Sequence, residues 1–128
     1  MLRMIMAAAV LCTAAIPAMA ADPAAGEKAF AVCKACHKVG EGAKNGVGPT
    51  LNGVVGRAAG AVEGYKYSDA MTSSGLTWDE ANLAEYLENP KAKVPNGKMM
   101  FVGVKDDTKL ADIIAYLGQF NADGTKKQ

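Results

Sequence analysis

The chain has 128 residues, with 14 Lys and Arg against 13 Asp and Glu and a formal net charge of +1. This near-neutral balance gives no indication of nucleic-acid binding, which requires a strongly basic face, and the length fits a single domain. Three cysteines and one histidine limit the metal and cofactor chemistry that the chain can carry.

The N-terminal segment has the layout of a secretory signal peptide. A run of 13 uncharged, mostly apolar residues follows Arg3, and Ala20 ends a small-residue cleavage site. The run is shorter than the ~20 residues that span a bilayer. We therefore expect residues 1–20 to be a signal peptide that is removed, and residues 21–128 to form a periplasmic domain. The alternative is an uncleaved segment that anchors the protein to the membrane.

Removal of this segment takes away Arg3 and Cys12. It leaves 13 basic residues against 13 acidic ones, and two cysteines, Cys33 and Cys36. Export implies an oxidising compartment. However, two cysteines three residues apart enclose too small a loop to act as a structural disulfide, so the pair needs another role.

In the first half of the mature chain, two segments with helical patterns flank a long loop. Asp22 and Pro23 form a typical helix start, which predicts a helix from Ala24 to Val32. Residues 38–64 are rich in glycine and show no apolar periodicity. Long loops of this kind usually serve a function. A short helix is predicted from Ser68 to Ser74, ended by Gly75.

The second half contains two further helical patterns. The sequence Thr77-Trp78-Asp79-Glu80 reads as a capping box, and the helix it starts should end by Asn89, because Pro90 disfavours helix at the preceding residue. Residues 91–104 are predicted to be irregular, and residues 121–128 a frayed polar tail. Asp106 or Asp107 should cap a last helix. Its apolar stripe has helical spacing and consists of Leu110, Ile113, Ile114 and Leu117. The predicted fold class is all-α, with three or four helices and two long loops.

The sequence Cys33-Lys34-Ala35-Cys36-His37 is the pattern of covalent haem c attachment. Residues three apart lie on one face of a helix or turn, so two thiols can form thioethers to one haem while His37 binds the iron. A thioredoxin-like redox pair would need a βαβ context, which the sequence lacks. A structural zinc site needs four ligands, and the mature chain offers only three suitable side chains.

The single histidine also limits the second axial ligand of the iron. A bis-histidine haem is excluded, and methionine is the usual partner in electron-transfer cytochromes. Met71 lies in a predicted helix and is interpreted as core packing, whereas Met99 and Met100 lie in the irregular stretch. Spacing alone does not choose between these last two.

Residues 24–120 resemble the class I c-type cytochromes, which include mitochondrial cytochrome c and its soluble bacterial relatives of the c-two type. The matching segments are Cys33 to His37, Gly48-Pro49, Tyr67 to Ala70, Leu76 to Trp78, Glu85 to Lys91, Pro95 to Phe101 and Ile114 to Leu117. The resemblance implies the cytochrome c fold, wrapped around one covalent haem c. It also implies that Met99 is the second axial ligand and that Met100 occupies a variable position.

The resemblance implies roles for other side chains. The Pro49 carbonyl accepts a hydrogen bond from His37, and Tyr86 lies near the methionine sulfur. A haem propionate is surrounded by Arg57, Tyr67 and Trp78, and the first and last helices cross at Gly26, Phe30 and Tyr116. Two positions depart from the family pattern: Met71 stands where relatives often have asparagine, and Asn96-Gly97 replaces Gly-Thr.

With two axial ligands no iron site is left for a substrate, so the expected function is monomeric one-electron carriage rather than enzymatic catalysis. The expected partners are redox proteins: a membrane cytochrome complex or dehydrogenase on one side, and an oxidase or photosynthetic reaction centre on the other. The lysines that could guide docking are Lys91, Lys93, Lys98 and Lys105. A plain solvated surface explains these lysines equally well. An enzyme or gas sensor with an open iron site, and a membrane-tethered relay, are the competing hypotheses.

Overall fold

The computed structural model describes residues 21–128, so the predicted signal peptide at 1–20 lies outside the described residues. The helices are α1 (Pro23–Ala29), a 3-10 helix (Phe30–Cys33), α2 (Asp69–Thr72), α3 (Glu80–Glu88), α4 (Pro90–Lys93) and α5 (Asp107–Gly118). Within the same residues, β pairing is limited to two isolated bridges. The all-α prediction is therefore confirmed, with three main helices and two single turns, α2 and α4. No helix in this part of the chain has the length and apolar character needed to cross a bilayer.

The crossing of α1 and α5 organises the fold. At Gly26 a Cβ atom would lie 1.9 Å from the backbone oxygen of Asp112 and 2.9 Å from Cβ of Tyr116, so only glycine permits this approach. The rings of Phe30 and Tyr116 pack beside it, with centroids 5.5 Å apart. The predicted crossing and the predicted apolar stripe of α5 are both confirmed, since all four stripe residues are buried.

Helix starts follow local capping chemistry. Asp22 caps α1 by accepting from the Ala24 amide, as predicted, and Ser68 caps the short α2 through the Met71 amide. For α5 the cap is Asp106, which accepts from the Lys109 amide at 3.0 Å. Each cap satisfies an amide that has no partner within its helix.

Two predicted helix boundaries were wrong. The first helix is α-helical only to Ala29 and continues as a 3-10 helix to Cys33, a tighter winding that is common at helix ends. The cap of α3 is Asp79, which accepts from the Asn82 amide at 2.7 Å. Thr77, the predicted cap, instead forms an isolated bridge with Ala58.

Two segments predicted to be irregular are ordered. Residues 91–104 were expected to lack helix, but Asn89 caps α4 and Pro90 occupies its first position. The tail after residue 120 was expected to fray, but Phe120 pairs with Lys126 and the Asn121 amide donates to Thr125. Gly124 is buried against the backbone of Gly40, which anchors the tail to the long loop.

Candidate haem site

A cavity of about 280 Å³, lined mainly by apolar side chains, opens beside the end of the 3-10 helix. Every residue predicted for the site contributes to its lining: Cys33, Cys36, His37, Pro49, Arg57, Tyr67, Trp78, Tyr86 and Met99. Residues far apart in the sequence therefore come together around one apolar space.

The attachment motif forms a turn that continues the 3-10 helix. The amides of Cys36 and His37 both donate to the Cys33 carbonyl, at 3.2 and 2.9 Å. The two thiols are not joined in a disulfide. Burial and the neighbouring Cys36 raise the pKa of Cys33, whereas a reactive thiolate needs a lowered pKa. A raised pKa is not the property of a reactive dithiol pair.

A single hydrogen bond to the backbone orients the His37 ring. Its Nδ1 lies 2.8 Å from the Pro49 carbonyl oxygen, which can only accept, so Nδ1 carries the proton and Nε2 keeps its lone pair. Burial lowers the pKa of His37; the Pro49 contact opposes this effect, and the Arg57 charge adds to it. A neutral imidazole with a free Nε2 is the form that binds a metal.

Gly48 makes room for this ring. A Cβ atom at position 48 would lie 2.4 Å from Cε1 of His37 and 2.7 Å from Nδ1. The Gly48 amide also donates to the Cys36 carbonyl at 2.8 Å, which ties the long loop to the attachment motif. Glycine before Pro49 is therefore a steric requirement of the ring position.

Arg57 holds the loop and keeps one donor free. Its Nη1 donates to the carbonyl oxygens of Thr50 and Asn52, at 3.1 and 3.0 Å. Its Nε is buried, with no partner among residues 21–128. Burial lowers the pKa of Arg57, yet an arginine remains charged in proteins. A buried cation with an unused N–H is suited to a carboxylate such as a haem propionate.

In the haem-loaded protein, replacement of Arg57 by leucine is expected to lower the reduction potential. A nearby positive charge disfavours the ferric state, so its removal should shift the potential down by on the order of tens of millivolts. Arg57→Lys is the matched control, since it keeps the charge and should retain most of the potential. If spectroelectrochemistry gave Arg57→Leu a potential equal to or above that of the wild type, this role would be contradicted.

Three methionines line the cavity, Met71, Met99 and Met100, and the last two, which spacing did not separate, differ in burial. Met99 is partly buried, and its sulfur lies 3.5 Å from the Tyr86 hydroxyl, which donates to it. Met100 is 86% exposed. Burial, with a smaller contribution from Tyr65, raises the pKa of Tyr86 to about 12, so the phenol stays protonated and remains a donor at neutral pH. Met99 is thus the better placed of the two for an internal ligand.

The Tyr86 hydroxyl is expected to help retain Met99. In Tyr86→Phe this hydrogen bond is lost. If Met99 is the ligand that imidazole has to displace from ferric iron, imidazole should then bind about fivefold more tightly. Tyr116→Phe is the matched control, because Tyr116 packs in the α1–α5 crossing and does not line the cavity. An unchanged imidazole affinity in Tyr86→Phe would refute this contribution.

The contacts that Tyr65 and Lys98 make at the cavity were not predicted from the sequence. The Tyr65 hydroxyl donates to the Val47 carbonyl at 2.8 Å, and Nζ of Lys98 lies 4.8 Å from the centre of the Tyr65 ring. Lys98 also donates to the Lys66 carbonyl at 3.1 Å. These contacts join the long loop to the segment that carries Met99. The only feature of the sequence that could have indicated these contacts was the pair of nearby tyrosines, Tyr65 and Tyr67.

The arrangement fits a covalently attached haem. The cavity offers two thiols, a neutral imidazole, a thioether sulfur and one unpaired guanidinium donor within a mainly apolar lining. The thiols match its vinyl carbons, the imidazole and the thioether sulfur match its iron, and the guanidinium donor matches its carboxylates.

Comparison with known proteins agrees with this chemistry. The family model for cytochrome c matches residues 23–121. Cytochrome c2 of Blastochloris viridis is 55% identical over 118 residues, covering 92% of this chain and 93% of that protein. Cytochrome c-554 of Methylosinus trichosporium is 52% identical over 127 residues, covering 99% of this chain and 96% of that protein. The solved structure of cytochrome cH from Methylobacterium extorquens is 59% identical, with a TM-score of 0.71 over 76% of this chain and 97% of that chain.

Proposed function

The chain belongs to the cytochrome c family, and on that premise we propose that it is a monomeric one-electron carrier, and not an enzyme, in the periplasm. The cofactor is one covalently bound haem c. Cys33 and Cys36 would hold it through thioether bonds, and His37 and Met99 would bind its iron. Arg57, Tyr67 and Trp78 would bind a propionate, and the Pro49 carbonyl orients His37.

The position of Met99 carries this proposal. His37 and Met99 line the same cavity, and the Met99 sulfur is partly buried and bound by Tyr86. With His37 and Met99 both bound to the iron, the haem would supply one-electron exchange between ferric and ferrous iron. Hydrogen bonds to the Pro49 carbonyl and from the Tyr86 hydroxyl hold the two side chains in place.

The redox partners would dock at the mouth of the cavity. Three lining residues are exposed apolar side chains, with Val32 64%, Val47 70% and Met100 86% exposed. Lys98 adds a positive charge beside them, and such charges steer transient encounters. Of the other lysines, Lys93 pairs with Glu85 and Lys105 donates to the Glu88 carbonyl. The expected partners are a membrane cytochrome complex or dehydrogenase as donor, and an oxidase or reaction centre as acceptor.

Export with cleavage after Ala20 is part of the proposal. The first long-range contact of the described chain follows that position directly, since the Asp22 amide donates to the Asp112 carboxylate at 2.8 Å. A mature N-terminus at residue 21 would keep this contact. The mass of the purified native protein decides between this form and an anchored one that begins at Met1.

A spectroelectrochemical titration, followed by exposure of the reduced protein to carbon monoxide, tests the function. The proposal predicts a single one-electron transition and no fast carbon monoxide binding, because Met99 occupies the iron. Rapid carbon monoxide binding to the native ferrous protein would instead indicate an open site, as in an enzyme or gas sensor.

A further inference from the structure

Three asparagines are followed by glycine: Asn45, Asn52 and Asn96. Asparagine before glycine can deamidate spontaneously, because the unhindered glycine nitrogen can reach the side-chain carbonyl carbon. The three sites have the same neighbour on the C-terminal side. Differences in their reactivity must therefore come largely from how the fold restrains each asparagine.

Two of these side chains form hydrogen bonds through both the nitrogen and the oxygen of the side-chain amide. Asn45 donates through Nδ2 to the Glu63 carbonyl at 3.0 Å and accepts from the Thr50 amide at 2.9 Å. Asn52 is 6% exposed and makes two hydrogen bonds to Gly40, at 2.8 and 2.9 Å. In both, reaction requires that two side-chain hydrogen bonds be broken first.

Asn96 differs from both in its hydrogen bonding, whereas its exposure separates it only from Asn52, because Asn45 is exposed as well. It is exposed, and its side chain makes no hydrogen bond within residues 21–128. Its φ of 63° is the left-handed value that a type II turn requires. A single contact restrains the attacking group: the Gly97 amide donates to the Val94 carbonyl at 3.1 Å.

We propose that Asn96 is a site of spontaneous deamidation in the folded protein. The Gly97 nitrogen forms a bond to the Asn96 side-chain carbonyl carbon, and the bond from that carbon to Nδ2 breaks. Ammonia leaves, carrying the proton lost from the Gly97 amide, and a succinimide remains. Water then opens this ring at either carbonyl to give aspartate or isoaspartate, and no oxidant or reductant takes part.

Modification at this position changes the segment that carries Met99. Either product adds a negative charge between Lys93 and Lys98. Isoaspartate also lengthens the main chain by one carbon, three residues before Met99, and disrupts the turn closed by Val94 and Gly97. This consequence rests on the proposed function, because it matters only if Met99 binds the iron.

The test is incubation of the intact haem-loaded protein in mildly alkaline buffer, followed by peptide mapping with enzymatic methyl labelling of isoaspartate. Label at residue 96 should accumulate about tenfold or more faster than at residues 45 and 52, since those sites must first break two side-chain hydrogen bonds. Asn96→Gly is the control: it keeps a residue suited to positive φ and should remove the fast label. In urea the three rates should converge, because the folded restraints are gone.

Two results would contradict the proposal that the fold makes Asn96 the fast site of deamidation. One is equal or faster labelling at residue 45 or 52 in the folded protein. The other is that the three labelling rates keep the same order in urea. The effect on Met99 has a separate readout. The isolated isoaspartate form should bind imidazole several-fold more tightly than unmodified protein. If the label appears at residue 96 while imidazole affinity is unchanged, deamidation at Asn96 is supported and its proposed effect on Met99 is contradicted.

Discussion

Replacing Met99 with alanine is expected to open the sixth position of the iron. The ferrous protein should then bind carbon monoxide rapidly, and the reduction potential should fall by on the order of 0.1 V or more, because a thioether ligand stabilises the ferrous state. Carbon monoxide flash-binding kinetics and spectroelectrochemistry measure the two effects. Global stability should also decrease, since the ligand bond closes the segment between α4 and α5.

Met100→Ala is the matched control for this experiment. Met100 has the same side chain one position away but is 86% exposed, so its removal should leave carbon monoxide binding and potential close to those of the native protein. If Met100→Ala opened the iron and Met99→Ala did not, the assignment of the two residues would be reversed.

Gly26→Ala is expected to lower the stability of the protein strongly, because it adds a methyl group at the crossing of α1 and α5. The added methyl group would lie 1.9 Å from the Asp112 oxygen and 2.5 Å from its carbonyl carbon. These are backbone atoms of α5, so the overlap can be relieved only by separating the two helices. We expect the free energy of unfolding to fall by about 3 kcal/mol or more, measured by denaturant titration of the haem-loaded protein.

Gly118→Ala provides the control for helix propensity. Gly118 ends α5, and a Cβ there would meet only Cγ2 of Val55, at an ordinary 3.9 Å. Alanine should therefore be neutral or stabilising by up to about 1 kcal/mol. Similar losses of stability in both variants would show that the close approach at Gly26 is not the cause.

The chemistry of the site could be predicted from short sequence patterns. The Cys33 to His37 motif encodes its geometry locally, because three residues of separation place both thiols on one side of a turn. The choice of Met99 over Met100 came from family resemblance, since spacing did not separate them. The contrast in their burial is a property of the folded chain and supports the same choice.

The missed elements depend on contacts that no local pattern encodes. The tail after residue 120 is polar and looked free to fray, yet it is ordered because Gly124 packs on Gly40, more than 80 residues away in the chain. The contact between Tyr65 and Lys98 likewise joins two loops. For α4 the signal was present: Asn89 and Pro90 are a favourable cap and first residue. Pro90 therefore has two effects: it prevents α3 from continuing and occupies the first position of α4.

Ligation of the iron by Met99 is tested most directly by the absorption spectrum of the ferric protein at neutral pH, in the region of the sulfur-to-iron charge-transfer band. Ligation by Met99 predicts that the band is present in the native protein and in Met100→Ala, and absent in Met99→Ala. Absence of the band from the native protein, or its persistence in Met99→Ala, would contradict a haem held between His37 and Met99.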